Sequence, residues 1–182
     1  GMLIERNIYG ARDERYTKPM AEAKVGDVVK GVLKIVVPTE RRMVTIEDYI
    51  PAGFELVNFD LATEDATTIT GNRYAPGLGM NDRGLIASLR KVFTASVGAV
   101  EDNEEYVDQL SPKHLLYPDF RELRDDKLFL FKERLAPGTY LYEYYLRATT
   151  PGTFSHLPAI VQELYFPENF GRTGGGKFLI TQ

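Results

Sequence analysis

Val29-Lys30-Gly31-Val32-Leu33-Lys34-Ile35-Val36-Val37 is the stretch that decides the fold. Val29, Gly31, Leu33, Ile35 and Val37 share one side of a period-two pattern, with Lys30 and Lys34 between them, and that period sends successive side chains to opposite faces of a strand. The period recurs in Met43 to Tyr49, Phe54 to Phe59 and Leu128 to Lys132. It is longest in Tyr140 to Ala148, where Tyr140, Tyr142, Tyr144, Leu146 and Ala148 share a face. Ala159 to Phe166 and Lys177 to Thr181 read as further strands. Turn residues separate the runs: Pro51-Ala52-Gly53, Pro137-Gly138 and Pro151-Gly152. In the last two, proline suits the first central position of a type II turn and glycine the positive φ of the second. Short strands, such turns and no alternating helices predict an all-β fold, an antiparallel β-sandwich of about seven to nine strands.

The middle of the chain breaks this rhythm. From Ala62 to about residue 116 the strand period is lost, and one helical signature stands in it. Asn81 or Asp82 caps a run with Leu85, Ile86, Leu89, Val92 and Phe93 on one face and Arg90 and Lys91 off it. That predicts one short amphipathic helix in a long insertion, with Arg90 and Lys91 as candidate partner-facing residues. Glu101, Asp102, Glu104, Glu105 and Asp108 then read as a solvated acidic loop, with weak calcium binding as the alternative. No internal repeat or linker divides the chain, so residues 1–182 are taken as one domain.

Composition narrows the function. The 182 residues carry 22 Lys+Arg against 26 Asp+Glu, a net charge of −4. A nucleic-acid binder needs the opposite balance. There is no cysteine, which removes disulfides, thiol nucleophiles and Cys-ligated metals. His114 and His156 are too far apart in sequence to form a paired metal motif. No apolar run approaches the ~20 residues of a membrane-spanning helix, and Gly1-Met2-Leu3-Ile4-Glu5-Arg6 lacks the apolar core of a signal peptide. Gly1 ahead of Met2 reads as the remnant of a cleaved tag, so a larger protein with its own targeting signal upstream is expected.

Each catalytic motif is incomplete. Gly171-Arg172-Thr173-Gly174-Gly175-Gly176-Lys177 fits the start of a phosphate-binding loop, but Phe178 stands where a Ser or Thr hydroxyl is required, and too few residues remain for the helix. A flexible glycine hairpin before a terminal strand is expected instead. Asp125 and Asp126, if neighbours on a strand, face opposite ways and make a poor acid/base pair. Ser155 and His156 suffer the same defect, and no GxSxG elbow is present. The reading is therefore of a non-enzyme, with no cofactor and no metal. Of the tyrosines outside the strand alternation, Tyr74, Tyr106, Tyr117 and Tyr165 are the candidates for exposed rings.

The second half contains an ordered set of short motifs. They are Arg121-Glu122-Leu123-Arg124-Asp125-Asp126, Leu135-Ala136-Pro137-Gly138-Thr139-Tyr140, and Arg147-Ala148-Thr149-Thr150-Pro151-Gly152-Thr153-Phe154. Pro158-Ala159, Glu163-Leu164-Tyr165-Phe166-Pro167-Glu168 and Phe170-Gly171-Arg172-Thr173 follow. Val25-Gly26-Asp27 and Glu47-Asp48-Tyr49-Ile50-Pro51-Ala52-Gly53-Phe54-Glu55 precede them. Together these motifs resemble the C-terminal domain of bacterial α2-macroglobulin-like proteins, over residues 3 to 60 and 117 to 182. Leu164 replaces a more usual Met, and the insertion matches nothing in the family.

The resemblance implies a macroglobulin/immunoglobulin-like sandwich that corresponds to the receptor-binding domain of animal macroglobulins. It implies a fragment of a larger multidomain protease trap, exported to the periplasm or cell surface and lipid-anchored through its missing N-terminal region. The implied partners are a thioester-type helical domain and neighbouring sandwiches of the same chain, with target proteases met by the full-length protein. Nucleic acid and membrane are not contacted by this domain. The implied role is to pack against and shield the thioester, with Tyr117, Tyr165 and Phe166 as candidate interdomain contacts. The competing reading is a free-standing surface adhesin or carbohydrate-binding module, which rests on fold class and tyrosine content.

Overall fold

The computed structural model describes residues 1–58 and 115–182. Within them all regular structure is strand: β1 (Leu3–Gly10), β2 (Glu22–Lys24), β3 (Val28–Val37), β4 (Arg41–Tyr49), β5 (Phe54–Leu56), β6 (Phe120–Leu123), β7 (Lys127–Leu135), β8 (Gly138–Ala148), β9 (Gly152–His156), β10 (Ile160–Glu163), β11 (Phe170–Arg172) and β12 (Gly176–Thr181). The expected insertion helix with Arg90 and Lys91, the acidic stretch, Tyr74 and Tyr106 lie outside the described residues. The twelve strands exceed the expected number, in part because β2 and β11 have three residues each, too short to show a period.

The strands make a four-stranded sheet (β1-β3-β8-β5), a five-stranded sheet (β11-β10-β4-β7-β6) and a three-stranded sheet (β2-β12-β9). All pairings are antiparallel except β2 with β12 and an isolated bridge from Leu115 to Leu141. Leu33, Ile35 and Leu146 of the first sheet share one core with Val44, Ile46, Leu128, Leu130 and Val161 of the second and Phe178 and Ile180 of the third. Each such side chain contributes about 1.5–3 kcal/mol on burial. The deciding stretch behaves as its period requires, since Val29, Leu33, Ile35 and Val37 all lie in that core. Lys30 departs from it. This lysine is buried on the opposite face, 3.6 Å from Glu143 and 4.9 Å above the ring of Tyr16, whose hydroxyl also bonds Glu143.

Gly31 and Tyr144 are directly opposite each other on β3 and β8. A Cβ on Gly31 would overlap the Tyr144 ring, so the missing side chain is what lets that tyrosine lie across the sheet. The turn residues divide differently from expectation. Gly138 and Gly152 have φ of 158° and 149° and open β8 and β9, well away from the ~80° of a type II turn. The type II geometry sits at Lys24-Val25-Gly26-Asp27, where Gly26 has φ 90° and the Asp27 N–H donates to the Lys24 carbonyl at 3.0 Å.

Candidate functional site

The densest polar chemistry lies in the middle of the sandwich. Asp48 on β4 is fully buried. Its carboxylate accepts from Arg6 of β1 at 2.5 Å and from the Tyr144 hydroxyl of β8 at 2.5 Å. Arg6 also donates to the Leu157 carbonyl at 2.7 Å, and His156 Nε2 lies 4.0 Å from Asp48. Burial outweighs both partners and raises the Asp48 pKa. Burial, then the Arg6 charge, lowers His156 to about 3 against a hydrogen bond to the Tyr49 backbone. Such a shift can mark a catalytic group. Here the carboxylate is closed to solvent and its oxygens are already engaged, so the arrangement ties β1, β4, β8 and the end of β9 together and offers no seat to a substrate.

The remaining motifs are also pulled apart. Asp125 and Asp126 are not strand residues as expected. They form the tight β6–β7 turn, closed by the Arg124 N–H donating to the Lys127 carbonyl at 2.9 Å. The glycine run is not a hairpin either: it leads from β11 in the five-stranded sheet to β12 in the three-stranded one. A strand therefore follows Lys177 where a phosphate loop needs a helix N-terminus. Ser155 and His156 are consecutive on β9, the first exposed and the second buried. Among the described residues no group of three or more His, Cys, Asp or Glu could hold a metal ion.

The outside of the molecule shows the opposite character. β10 ends at Glu163 rather than Phe166, so Tyr165 and Phe166 stand in the β10–β11 connection, 68% and 58% exposed, beside an exposed Leu164. The connection is held firmly. Pro167 takes the second position of a turn closed by the Asn169 N–H to the Phe166 carbonyl at 2.8 Å. Beneath it the buried Glu163 carboxylate accepts from the Asn169 side chain at 2.7 Å, the Arg42 N–H at 3.0 Å and the Arg41 guanidinium at 3.4 Å. Burial pushes the Glu163 pKa up, but these donors together hold it below the usual carboxylate range.

The register carries the apolar surface further. Phe170, Gln162, Thr45, Phe131 and Phe120 form one row across all five strands. Directly paired residues share a face, and this is the outer one, since Val44, Ile46, Leu128 and Leu130 point into the core. The next row holds Ile160 and Phe129, and Phe129 meets Phe120 edge-on at 6.4 Å. Tyr117, 45% exposed, precedes β6 at the far edge. β4 and β7 separate β6 from β10, a distance of about 14 Å at ~4.8 Å per strand. Tyr165 and Phe166 thus stand together, and Tyr117 stands at the other end of the same sheet. Sequence reasoning missed Phe120, Leu164 and Phe170. The signal available was Leu128-Phe129-Leu130-Phe131, apolar at both parities and so destined for cover on both faces.

Comparison with known proteins fits this architecture. The family model described as Bacterial Alpha-2-macroglobulin MG10 domain matches residues 1–168. An "Alpha-2-macroglobulin homolog" of Nostoc sp. is 40% identical over 63 residues, 35% of this chain and 3% of that protein. The structure of trypsin-activated alpha-2-macroglobulin from Escherichia coli aligns with TM-score 0.66 at 19% identity, covering 100% of this chain and 10% of that one. A point mutant of Salmonella alpha-2-macroglobulin aligns with TM-score 0.62 at 21% identity, covering 100% and 9%. The chain therefore spans a small part of the length of each relative it matches. With nearly all of its residues inside the family match, the chain belongs to the bacterial alpha-2-macroglobulin MG10 domain family.

Proposed function

We propose that this chain is the non-catalytic C-terminal interaction domain of a bacterial alpha-2-macroglobulin-like protease inhibitor, and that it packs against a neighbouring thioester-type domain and shields its reactive bond. The observation that carries the reading is the β10–β11 connection, which presents Tyr165 and Phe166 to the outside while a buried Glu163 fixes its base. A shield of a water-sensitive acyl bond needs apolar cover in a fixed place, because excluding water removes the competing nucleophile. Macroglobulin domains belong to protease-trap inhibitors rather than to catalytic enzymes, and the family match agrees with that role. An Escherichia coli structure spanning "domain MG7 to the C-terminus" aligns with the whole of this chain at TM-score 0.60, which supports a place toward the C-terminal end of the parent. The implied setting is the periplasm or cell surface, with a lipid anchor supplied elsewhere in the parent chain.

The test is the rate at which the full-length parent incorporates methylamine. Tyr165→Ala with Phe166→Ala is expected to speed incorporation about tenfold, the equivalent of ~1.4 kcal/mol of lost cover. Tyr117→Ala, at the opposite edge, reports whether the shield extends that far. An unchanged rate in the Tyr165/Phe166 variant overturns the shielding role. Saturable glycan binding by the 182-residue chain, abolished by the same substitutions, would replace it with the carbohydrate-binding reading.

A further inference from the structure

On the outer face of the four-stranded sheet, residues 11–19 leave β1 and return to it as a closed loop. The Asp13 N–H donates to the Gly10 carbonyl at 2.9 Å and the Met20 N–H to the Ile8 carbonyl at 2.7 Å, so the two ends share a neck on one strand. Inside the loop the Asp13 carboxylate accepts from the N–H groups of Arg15, Thr17 and Lys18 at 3.2, 2.9 and 3.2 Å. Arg12, Glu14, Arg15 and Lys18 stay exposed. Compact loops with such a neck frequently carry function.

Tyr16 turns the other way, toward the sheet. Its ring centroid lies 5.4 Å from that of Tyr9 on β1 and 4.9 Å from Lys30 Nζ on β3, and its hydroxyl donates to the Glu143 carboxylate on β8. The seat that receives the ring is built by the strands themselves. Tyr9 and Tyr145 stand opposite Lys30 on its two sides, Glu143 stands opposite Val32, and Tyr9, Lys30, Val32 and Tyr145 are all buried. An ammonium over the ring face, a second ring tilted against it and a carboxylate at the hydroxyl together recognise a phenol.

Two costs oppose closure of the loop on this seat. Tyr16 has φ 51°, a left-handed conformation that a bulky residue rarely adopts. The ring also shuts Lys30 and Glu143 away from water, and desolvating an ion pair offsets much of what the new contacts gain. Withdrawal of the ring leaves Lys30 and Glu143 facing each other at 3.6 Å, so the seat keeps its charge balance without the loop.

We propose that Tyr16 is the internal occupant of a phenol-binding seat formed by Tyr9, Lys30 and Glu143, and that the loop swings out on its β1 neck to let a tyrosine side chain of another polypeptide take the same place. The inference concerns a different sheet from the β10–β11 connection and does not rest on the shielding role of Tyr165 and Phe166.

The experiment titrates N-acetyltyrosinamide into the ¹⁵N-labelled 182-residue chain and into its Tyr16→Gly variant, following the amide signals of Lys30 and Glu143. Glycine accepts the positive φ, so the variant keeps the path of the loop while emptying the seat. Saturable shifts are expected in both proteins, with a Kd at least about tenfold lower in the variant, because the internal ring no longer competes. N-acetylphenylalaninamide lacks the hydroxyl that Glu143 accepts and should bind about tenfold more weakly than the tyrosine probe. Binding by the variant with a silent wild type at millimolar probe would make the seat a packing site for Tyr16 only and overturn the proposal. Silence in both proteins, equal Kd values in the two, or equal affinity for the two probes would overturn it as well. Should Tyr16→Gly fail to fold, the wild-type titration and its preference for tyrosine over phenylalanine decide the matter.

Discussion

The Asp48 cluster and the β10–β11 connection invert the usual placement of polar and apolar groups. In the first, charges are inside: a carboxylate without solvent exposure is satisfied by Arg6 and Tyr144. In the second, aromatic rings are outside, 68% and 58% exposed, on a loop held by a buried Glu163. A buried polar group with all its partners in place acts on its own fold, whereas an exposed apolar group held in position is available to something else. The shifts of Asp48 and His156 mark a region that serves the fold, whereas the proposed function rests on the second.

The largest blow to the comparison would come from Asp48→Ala. It leaves the Arg6 guanidinium buried without its carboxylate and should cost about 3–5 kcal/mol in urea unfolding. A loss below ~1 kcal/mol would mean the cluster does not hold the sheets. Gly31→Ala comes next, with an expected cost of about 1–3 kcal/mol from overpacking against Tyr144. Most of that cost should vanish in a Tyr144→Ala background, a coupling a double-mutant cycle reads directly.

Acid sharpens the contrast further. His156 is held neutral in the fold with a pKa of about 3, while the unfolded chain protonates it near 6.5. The unfolded state therefore binds the extra proton, and stability should fall as the pH drops from about 6.5 toward 3. The raised Asp48 pKa acts with the opposite sign, so the difference between the wild type and His156→Leu isolates the histidine part; equal slopes in the two proteins would refute it. Glu163 has a lowered pKa. Its contribution is present above the unfolded carboxylate value and is lost as pH falls through the folded one. Glu163→Gln should cost about 1.5–3 kcal/mol and speed proteolysis at Leu164 to Asn169 at neutral pH. The smallest effect is expected of Tyr165→Ala or Phe166→Ala, within about 0.5 kcal/mol in the 182-residue chain. A clear loss there would show that the rings serve their own sandwich.

The sequence pattern revealed the long strands because their inner residues are uniformly apolar: Val29 to Val37 in β3, and Tyr140 to Ala148 in β8. It hid β1 because Arg6 interrupts Ile4 and Ile8 on the inward face. That arginine faces inward only because Asp48 awaits it from another strand, and a one-dimensional period carries no such pairing. The short strands β2 and β11 offered no period at all. Of the candidate site, Tyr165 and Phe166 were legible as aromatics beside a proline turn, and their mutual placement follows from adjacency. The distance of Tyr117 from them depends on strand order, which local spacing does not contain.

The Val25-Gly26-Asp27 turn has a consequence for how the fold comes apart. Val25 donates to the Thr181 carbonyl at 2.8 Å, Gly26 to the Ala148 carbonyl at 2.8 Å, and Asp27 accepts from the Ala148 N–H at 2.9 Å. One short turn thus stitches the last strand of the three-stranded sheet to the longest strand of the four-stranded one. The small sheet has too few residues to persist as a separate folding unit. Through this stitch its melting is bound to that of the larger sheet, and the slow amides of β12 should be lost together with that of Ala148 in a single cooperative transition.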